Sequence, residues 1–291
     1  MNLCRGNVEG IRVDRMGRMG CMGRGVLLAS ALLAISPAGW ADNGDGIAFG
    51  KPSAFRQLVP AGSMERQAAG EYQNLKQRAV EQRALAPDGH PQLQRLRNIA
   101  QRMIPFAPRY NPRATQWQWE INLIGSKQVN AFCMPGGKIA FFTGLLNGLQ
   151  LTDDEAAMVM GHEVAHALRE HARERVAKSE LTNLGVSLLG QWIGQGRYAE
   201  AFRLGGGLLS LKFSREDEND ADLVGLELAA RAGFDPRAGI TLWQKMNAAN
   251  RGAPPQWLST HPASSNRIRE IEQHLPQVLP LYEAARAAAV R

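Results

Sequence analysis

Residues 161–166 read Gly-His-Glu-Val-Ala-His, an H-E-x-x-H motif, and the segment around them predicts one helix from about Asp153 to Lys178. Thr152 is a favourable N-cap for this helix, and Glu155, three residues later, completes a capping box. No proline interrupts the run that follows. The sequence therefore places the motif on a single well-capped helix.

The motif offers two metal ligands and a base. Residues four apart lie on one helix face, so His162 and His166 can direct two imidazole nitrogens at one cation. Glu163 follows the first histidine and is rotated off that face, which is the general-base position in zinc peptidases. The alternative is a surface helix with two solvated histidines, because short motifs also arise by chance.

A catalytic zinc site needs a third protein ligand. Residues 214–222, which read Ser-Arg-Glu-Asp-Glu-Asn-Asp-Ala-Asp, supply five carboxylates on another predicted helix. Glu218 and Asp222 share a face with small apolar residues that suits close helix packing, and a carboxylate there needs a partner. We expect the metal to bind Glu218 and a ligand histidine to bind Asp222. The opposite, solvated face is expected to carry Glu216, Asp220, Glu227 and Arg231.

Before the motif, alternating apolar and polar residues predict three short strands, at Trp117–Ile124, Val129–Cys133 and Lys138–Phe142. Such strands followed by the motif helix are typical of the α+β class, here a mainly helical domain with a small three-stranded sheet. An exposed edge of this sheet can accept an extended polypeptide as an added strand. The alternative is that all three strands serve only as core.

The composition is that of an ordinary globular domain, with 44% hydrophobic and 21% charged residues among 291. The formal net charge is +7, but no long run of Lys and Arg indicates a nucleic-acid partner. A glycine-rich stretch, residues 181–211, predicts either mobile helices over a cleft or plain helix packing.

The first 41 residues have the pattern of an export signal. Three arginines precede a short apolar run, and small residues before Ala41 suit cleavage there. We therefore expect a periplasmic protein with no transmembrane span once this signal is removed, and an uncleaved membrane anchor is the alternative. Cleavage would leave Cys133 as the only cysteine, so no intrachain disulfide could form.

Several motifs occur in one order: Asn130-Ala131-Phe132, Pro135-Gly136-Gly137, Thr143-Gly144-Leu145-Leu146, His162-Glu163-Val164-Ala165-His166, Ser214-Arg215-x-x-Glu218-x-x-Ala221-Asp222, and His261-Pro262 followed by Arg267. Together they resemble the gluzincin peptidase family that includes the CAAX prenyl protease, the heat-shock protease HtpX and the periplasmic β-barrel assembly-enhancing protease. The resemblance runs from about Tyr72 to Ile271. The family's membrane-spanning helices are missing, so the soluble periplasmic branch is the better match.

This resemblance implies a zincin-type domain that binds one Zn²⁺ per chain through the two motif histidines and Glu218, with Glu163 as the general base. Substrate would then lie along the strand marked by Asn130, Gly136 and Gly137. The implied chemistry is hydrolysis of an amide bond by water that the metal activates. The implied substrates are unfolded or misfolded proteins, including outer-membrane β-barrel proteins.

His261 and Arg267 receive further catalytic roles from the resemblance. A histidine at the first position lies near the zinc and, in the periplasmic branch, can occupy the open coordination position as a reversible block. Arg267 would steady the same loop or a developing oxyanion. Alternatively, both residues only cap the helix that is expected to start at Pro262. His171 lies about 140° round the helix from His166, which predicts an exposed side chain or an indirect contact with the site.

The expected organisation is a signal peptide (1–41), a flexible leader (42–62), N-terminal helices packed on the core (63–108), a zinc metallopeptidase domain (109–275) and a C-terminal tail (276–291). The expected function is an endopeptidase that degrades unfolded or misassembled envelope proteins. Two other classes stay open. One is a zinc-dependent chaperone for outer-membrane proteins with little turnover, and the other is a metal hydrolase with Cys133 as its third ligand.

Overall fold

Nearly all of the motifs fall within residues 45–186, 207–250, 255–261 and 266–289, which the computed structural model describes. The predicted signal peptide lies outside the described residues, and so does most of the glycine-rich stretch at 181–211. In the described part, helices surround one small sheet, and the predicted α+β class is confirmed. The boundary expected between residues 108 and 109 stays a prediction.

The helices and strands follow the chain in a simple order. The strands are β1 (Glu120–Ile124), β2 (Ala131–Met134) and β3 (Lys138–Phe142). The helices are α1 (Ala61–Glu81), α2 (Pro91–Met103), α3 (Thr143–Gly148), α4 (Asp153–Leu168), α5 (His171–Val186), α6 (Arg215–Arg231), α7 (Ala238–Ala249), α8 (Trp257–Thr260) and α9 (Arg267–Ala289). None of the described helices is both long and apolar enough to cross a membrane.

The sheet has the order β1-β3-β2, with β1 parallel to β3 and β2 antiparallel to it. One face packs on α2, α4 and α6 through Leu123, and the other packs on α1 through Ile124. The turn between β2 and β3 uses Gly136 and Gly137, whose φ angles are 83° and 76°. A Cβ on Gly137 would lie 2.6 Å from the Trp119 ring, so both the positive φ of the turn and this close contact require glycine here.

Two helices cross at a pair of glycines beside the motif. A Cβ built on Gly161 of α4 would lie 2.6 Å from the carbonyl oxygen of Gly225 on α6, so the two backbones touch where only glycine fits. The capping box predicted at Thr152 is present at the start of α4, and α6 also begins with a capping box, at Ser214. This close crossing fixes the motif helix against the helix that carries the predicted third ligand.

The single helix expected from Asp153 to Lys178 is broken in the structure. Helix α4 ends at Leu168, Glu170 takes a left-handed conformation with φ of 60°, and α5 begins at His171. In one continuous helix, His171 would point away from His166. The break instead folds this histidine back toward the motif.

The leader predicted at 42–62 is packed on the domain in its described part. The backbone N–H of Ile47 donates to Oε2 of Glu227 at 2.6 Å, and Tyr110 donates its hydroxyl to Oε1 at 2.9 Å. Glu227 is 1% exposed, so the expectation that it lies on a solvated face is wrong. The helical wheel placed it outward because the wheel contains no information about the N-terminal segment that covers this face.

The C-terminal residues form a helix rather than a plain tail. Helix α9 continues to Ala289 despite Pro276 and Pro280, and Val278 is fully buried. Because helix α9 also carries Arg267, this segment anchors a residue of the predicted site.

Candidate metal centre

The predicted ligands from α4 and α6 converge on one point. Nε2 of His162 and Nε2 of His166 lie 3.1 Å apart. The two carboxylate oxygens of Glu218 each lie 3.5 Å from one of these nitrogens, Oε2 from His162 and Oε1 from His166. All three residues are at most 3% exposed. This group could hold a metal ion.

His261 adds a fourth donor to the same group. Its Nδ1 lies 3.2 Å from Nε2 of His162 and 3.0 Å from Oε1 of Glu218. His261 is the C-cap residue of α8, directly after Thr260, and residues 262–265, where the following helix was expected to start, lie outside the described residues. The sequence pattern missed the short helix α8, and the helix-capping alternative for His261 stays a prediction.

Glu163 lies beside the donors and points elsewhere. Its Oε1 accepts a hydrogen bond from the indole N–H of Trp257, and Nε2 of His261 lies 3.6 Å from the same oxygen. The side chain of Glu163 is 2% exposed. The motif's carboxylate is thus held in place next to the group and is not one of its donors, as the helical geometry predicted.

Nδ1 of His162, the ring nitrogen that is not directed at His166, contacts a buried ion pair. Nδ1 of His162 lies 3.0 Å from Oδ1 of Asp222, whose two oxygens each accept a hydrogen bond of 2.5 Å from Arg267. Arg267 also donates to Oε2 of Glu218 at 2.7 Å, and its guanidinium stacks 3.7 Å from the centre of the Trp243 ring. Although burial opposes it, the charge of Arg267 holds the pKa of Asp222 at about 2.

The far nitrogen of His166 is held differently. Its Nδ1 lies 3.0 Å from Nδ1 of His171, and Nε2 of His171 lies 3.1 Å from Oδ2 of Asp220. Arg169 donates to that same oxygen and to the carbonyl of Gly50 in the N-terminal segment, both at 2.5 Å. Asp220, predicted to be solvated, therefore belongs to the support of the site, and His171 makes the indirect contact that was one of its two expected roles.

The electrostatic environment suits cation binding. Burial, followed by the neighbouring imidazoles, lowers the pKa of His166 well below its usual value, so this ring stays neutral with a free lone pair. Burial opposes ionisation of Glu218, but the hydrogen bond and charge of His261, with His162 and Arg267, lower its pKa. Burial alone would lower the pKa of His261, but the charges of Glu163 and Glu218 raise it.

Sequence reasoning missed two aromatic residues at this centre. Trp257 holds Glu163, and its position one helical turn before His261 was the available signal. Phe213 packs its ring on His166 at a centroid distance of 4.0 Å, and no pattern pointed to it.

Two other predicted residues lie apart from the donors. Cys133 is not part of the group that could hold a metal, which argues against the hydrolase with a cysteine ligand. Asn130 caps its own strand, because its Oδ1 accepts the N–H of Ala131.

Comparison with known proteins gives a consistent set of matches. The profile of peptidase family M48 matches residues 91–275. The mitochondrial metalloendopeptidase OMA1 of Bos taurus is 36% identical over 59% of this chain and 35% of its own length, and that of Schizosaccharomyces pombe is 35% identical over 66% and 56%. The β-barrel assembly-enhancing protease of Yersinia pestis is 28% identical over 58% of this chain and 37% of its own length. The chain thus spans about a third to a half of these relatives.

The comparisons contradict the predicted periplasmic location. Relatives between 32% and 38% identical, from animals, a plant and yeasts, are all named mitochondrial. The prediction relied on an arginine-rich N-terminal segment before a short apolar run. Mitochondrial transit peptides are also rich in arginine and poor in acids, so this composition does not separate the two destinations.

Proposed function

This chain belongs to peptidase family M48, and we propose that it is a zinc-dependent endopeptidase that hydrolyses unfolded or misassembled proteins. The membership supports the sequence-based prediction of a metalloendopeptidase. The choice of zinc, the roles of the individual residues and the substrates are our proposal. The observation that carries it is the spacing of the donor atoms of His162, His166 and Glu218.

That spacing fits zinc. With metal–ligand bonds of about 2.0–2.2 Å, neighbouring corners of a tetrahedron lie about 3.3–3.6 Å apart. The nitrogens of His162 and His166 are 3.1 Å apart, and the oxygens of Glu218 lie 3.5 Å from them. Two neutral imidazoles and one carboxylate are also the donor set of zinc hydrolases such as thermolysin.

A bound zinc ion would lower the pKa of a water molecule to about 7 and polarise the carbonyl under attack. Glu163 would act first as the general base and then as the general acid. The hydrogen bond from Trp257 to Oε1 holds the Glu163 carboxylate beside the donors, where it would take the proton from the attacking water. The same carboxyl then returns the proton to the leaving amine. Trp257 orients Glu163 and has no reacting atom of its own.

The edge of β2 supplies a place for extended substrate. The N–H of Phe142 donates to the carbonyl of Asn130, so even-numbered residues of β2 pair with β3. The backbone groups of Cys133 therefore point away from the sheet, where an added strand would bind. Strand β2 packs against α4, the helix that carries the proposed base Glu163.

His261 and α8 would have to move for catalysis. A catalytic zinc site keeps one position open for water, but Nδ1 of His261 lies at a fourth corner of the group. The N–H of Trp257, also on α8, donates to the carbonyl of Val129, at the end of the same β2 edge. One displacement of α8 would therefore free both the water position and the substrate edge.

The test of the base is Glu163→Gln. We expect this variant to keep one zinc per chain and to lose cleavage of casein, because an amide cannot take the proton. Glu216→Gln, at an exposed position of α6, is the control and should cleave as the wild type does. Casein cleavage by Glu163→Gln would refute the assigned role.

A chaperone with little turnover is the second candidate, favoured by the buried donors and by the name of the Yersinia pestis relative. β-Barrel proteins are the substrates that this name supports. Suppression of aggregation by Glu163→Gln at the wild-type level would favour the chaperone. Suppression that depends on cleavage would favour the peptidase.

A further inference from the structure

The second edge of the sheet is formed by β1, opposite the β2 edge, and is partly open. The N–H of Glu120 donates to the carbonyl of Gly137, so even-numbered residues of β1 pair with β3 and odd-numbered residues point their backbone groups outward. Near the C-terminal end of β1, the N–H of Ala86 donates to the carbonyl of Leu123. Nearer the N-terminal end of β1, neither the N–H nor the carbonyl of Ile121 has a hydrogen-bond partner among the described residues.

The chain itself ends the pairing at this point. Residues 84–86 run antiparallel to β1 and also accept the N–H of Gly125 at the carbonyl of Ala84, at 2.7 Å. Pro87 follows and cannot donate a backbone hydrogen bond, and the chain then turns at Asp88 and Gly89. Residues 84–86 thus form the beginning of a fourth strand, and this strand ends before it reaches Ile121.

A groove follows the unfinished edge. It has a volume of about 750 Å³ and lies between α1 and α2, with Trp119 to Asn122 along its floor. On the α1 side it is lined by Lys76, Val80 and Arg83. On the α2 side it is lined by Arg97, Gln101 and Ile104, and Ile104 is partly buried against the main core, as are Trp119 and Ile121 on the floor.

The charges of the groove leave one cation available. Lys76 pairs with Glu120, and Arg97 pairs with Asp88 at 2.8 Å. Arg83 is exposed and has no acidic partner in the described part of the chain. An acidic side chain entering the groove on the α1 side would therefore find a free guanidinium.

We infer that the β1 edge is a docking site for an extended acidic polypeptide segment, which adds a strand antiparallel to β1 in line with residues 84–86. Its backbone pairs with the N–H and carbonyl of Ile121. Side chains alternate along a strand, so its acidic residues face Arg83 and its apolar residues face Ile104. This site is separate from the β2 edge, and binding to it requires no hydrolysis.

The probe is a capped nine-residue peptide of alternating glutamate and valine, added to zinc-loaded Glu163→Gln so that it stays intact. Saturating peptide should slow hydrogen exchange at the Ile121 amide about tenfold or more, because the amide becomes hydrogen-bonded. Two further peptides carry N-methyl groups on alternate amides. The one methylated on the amides that face β1 should lose binding, and the one methylated on the others should keep it.

A charge reversal locates the site. Arg83→Glu should weaken binding of the peptide about tenfold, because it places like charges together. Arg78→Glu makes the same change at an exposed position of α1 that does not line the groove, and should bind as the parent does. Unchanged exchange at Ile121, equal binding of the two methylated peptides, or full affinity of Arg83→Glu would each overturn the inference. None of these results depends on whether the wild type cleaves casein.

Discussion

The two histidines of the motif share one helix but are supported in opposite ways. Nδ1 of His162 contacts Asp222, which accepts hydrogen bonds from Arg267. Arg267 is 1% exposed, and its guanidinium stacks on Trp243. His166 is held through His171 and then Asp220, a longer chain of contacts whose carboxylate is 22% exposed. The first support is therefore part of the core, whereas the second reaches the surface and the N-terminal segment.

Because of this difference, we expect substitutions in the two supports to affect stability and metal binding to different degrees. The support of His162 should be needed for both, because it places charges in the core that only each other can compensate. The support of His166 should affect the metal site while leaving the fold intact, since water can replace part of it.

Arg267→Met should have the largest effect. It leaves Asp222 and Glu218 buried without their shared cation, which should lower the free energy of unfolding by about 3–5 kcal/mol. Denaturant unfolding measures this change. Arg269→Met, two residues along α9 and exposed, is the control and should change stability little. Equal stability of the two variants would mean that the His162 support is not part of the core.

Asp222→Asn should have the next largest effect, now on the metal. It removes the anionic partner of Nδ1 of His162 and should weaken zinc binding about 10- to 100-fold. Competition with a chelator of known affinity measures this loss. Unchanged zinc affinity would show that Asp222 does not orient the ligand.

His171→Gln should have the smallest effect. We expect zinc affinity to fall by less than about tenfold, without a change in the denaturation midpoint, because His166 loses only a partner that is itself supported from the surface. His274→Gln, on α9 and outside the metal group, is the control. A loss as large as that of Asp222→Asn would remove the asymmetry between the two supports.

The sequence predicted the parts of this site that depend on local spacing. The capped start of the motif helix at Thr152 and the choice of Glu218 and Asp222 follow from residue spacing within single segments. Contacts between distant segments were not predictable in this way. The wheel put Asp220 and Glu227 on a solvated face, whereas Arg169 and the N-terminal segment cover them.

The break between helices α4 and α5 also could not be predicted from the sequence. The left-handed conformation at Glu170, which brings His171 back to His166, is unusual for a residue other than glycine and has no sequence signal. The sheet was predicted strand by strand, but its order β1-β3-β2 was not, because strand spacing contains no information about which strand lies in the middle. That order determines which two edges are open.

Zinc content distinguishes Glu218 from the other carboxylates of α6 as the metal ligand. We expect one zinc per chain in the wild type and in Glu216→Gln by elemental analysis after dialysis against a weak chelator, and loss of zinc in Glu218→Gln. Retention of a full equivalent by Glu218→Gln would contradict the proposed metal centre.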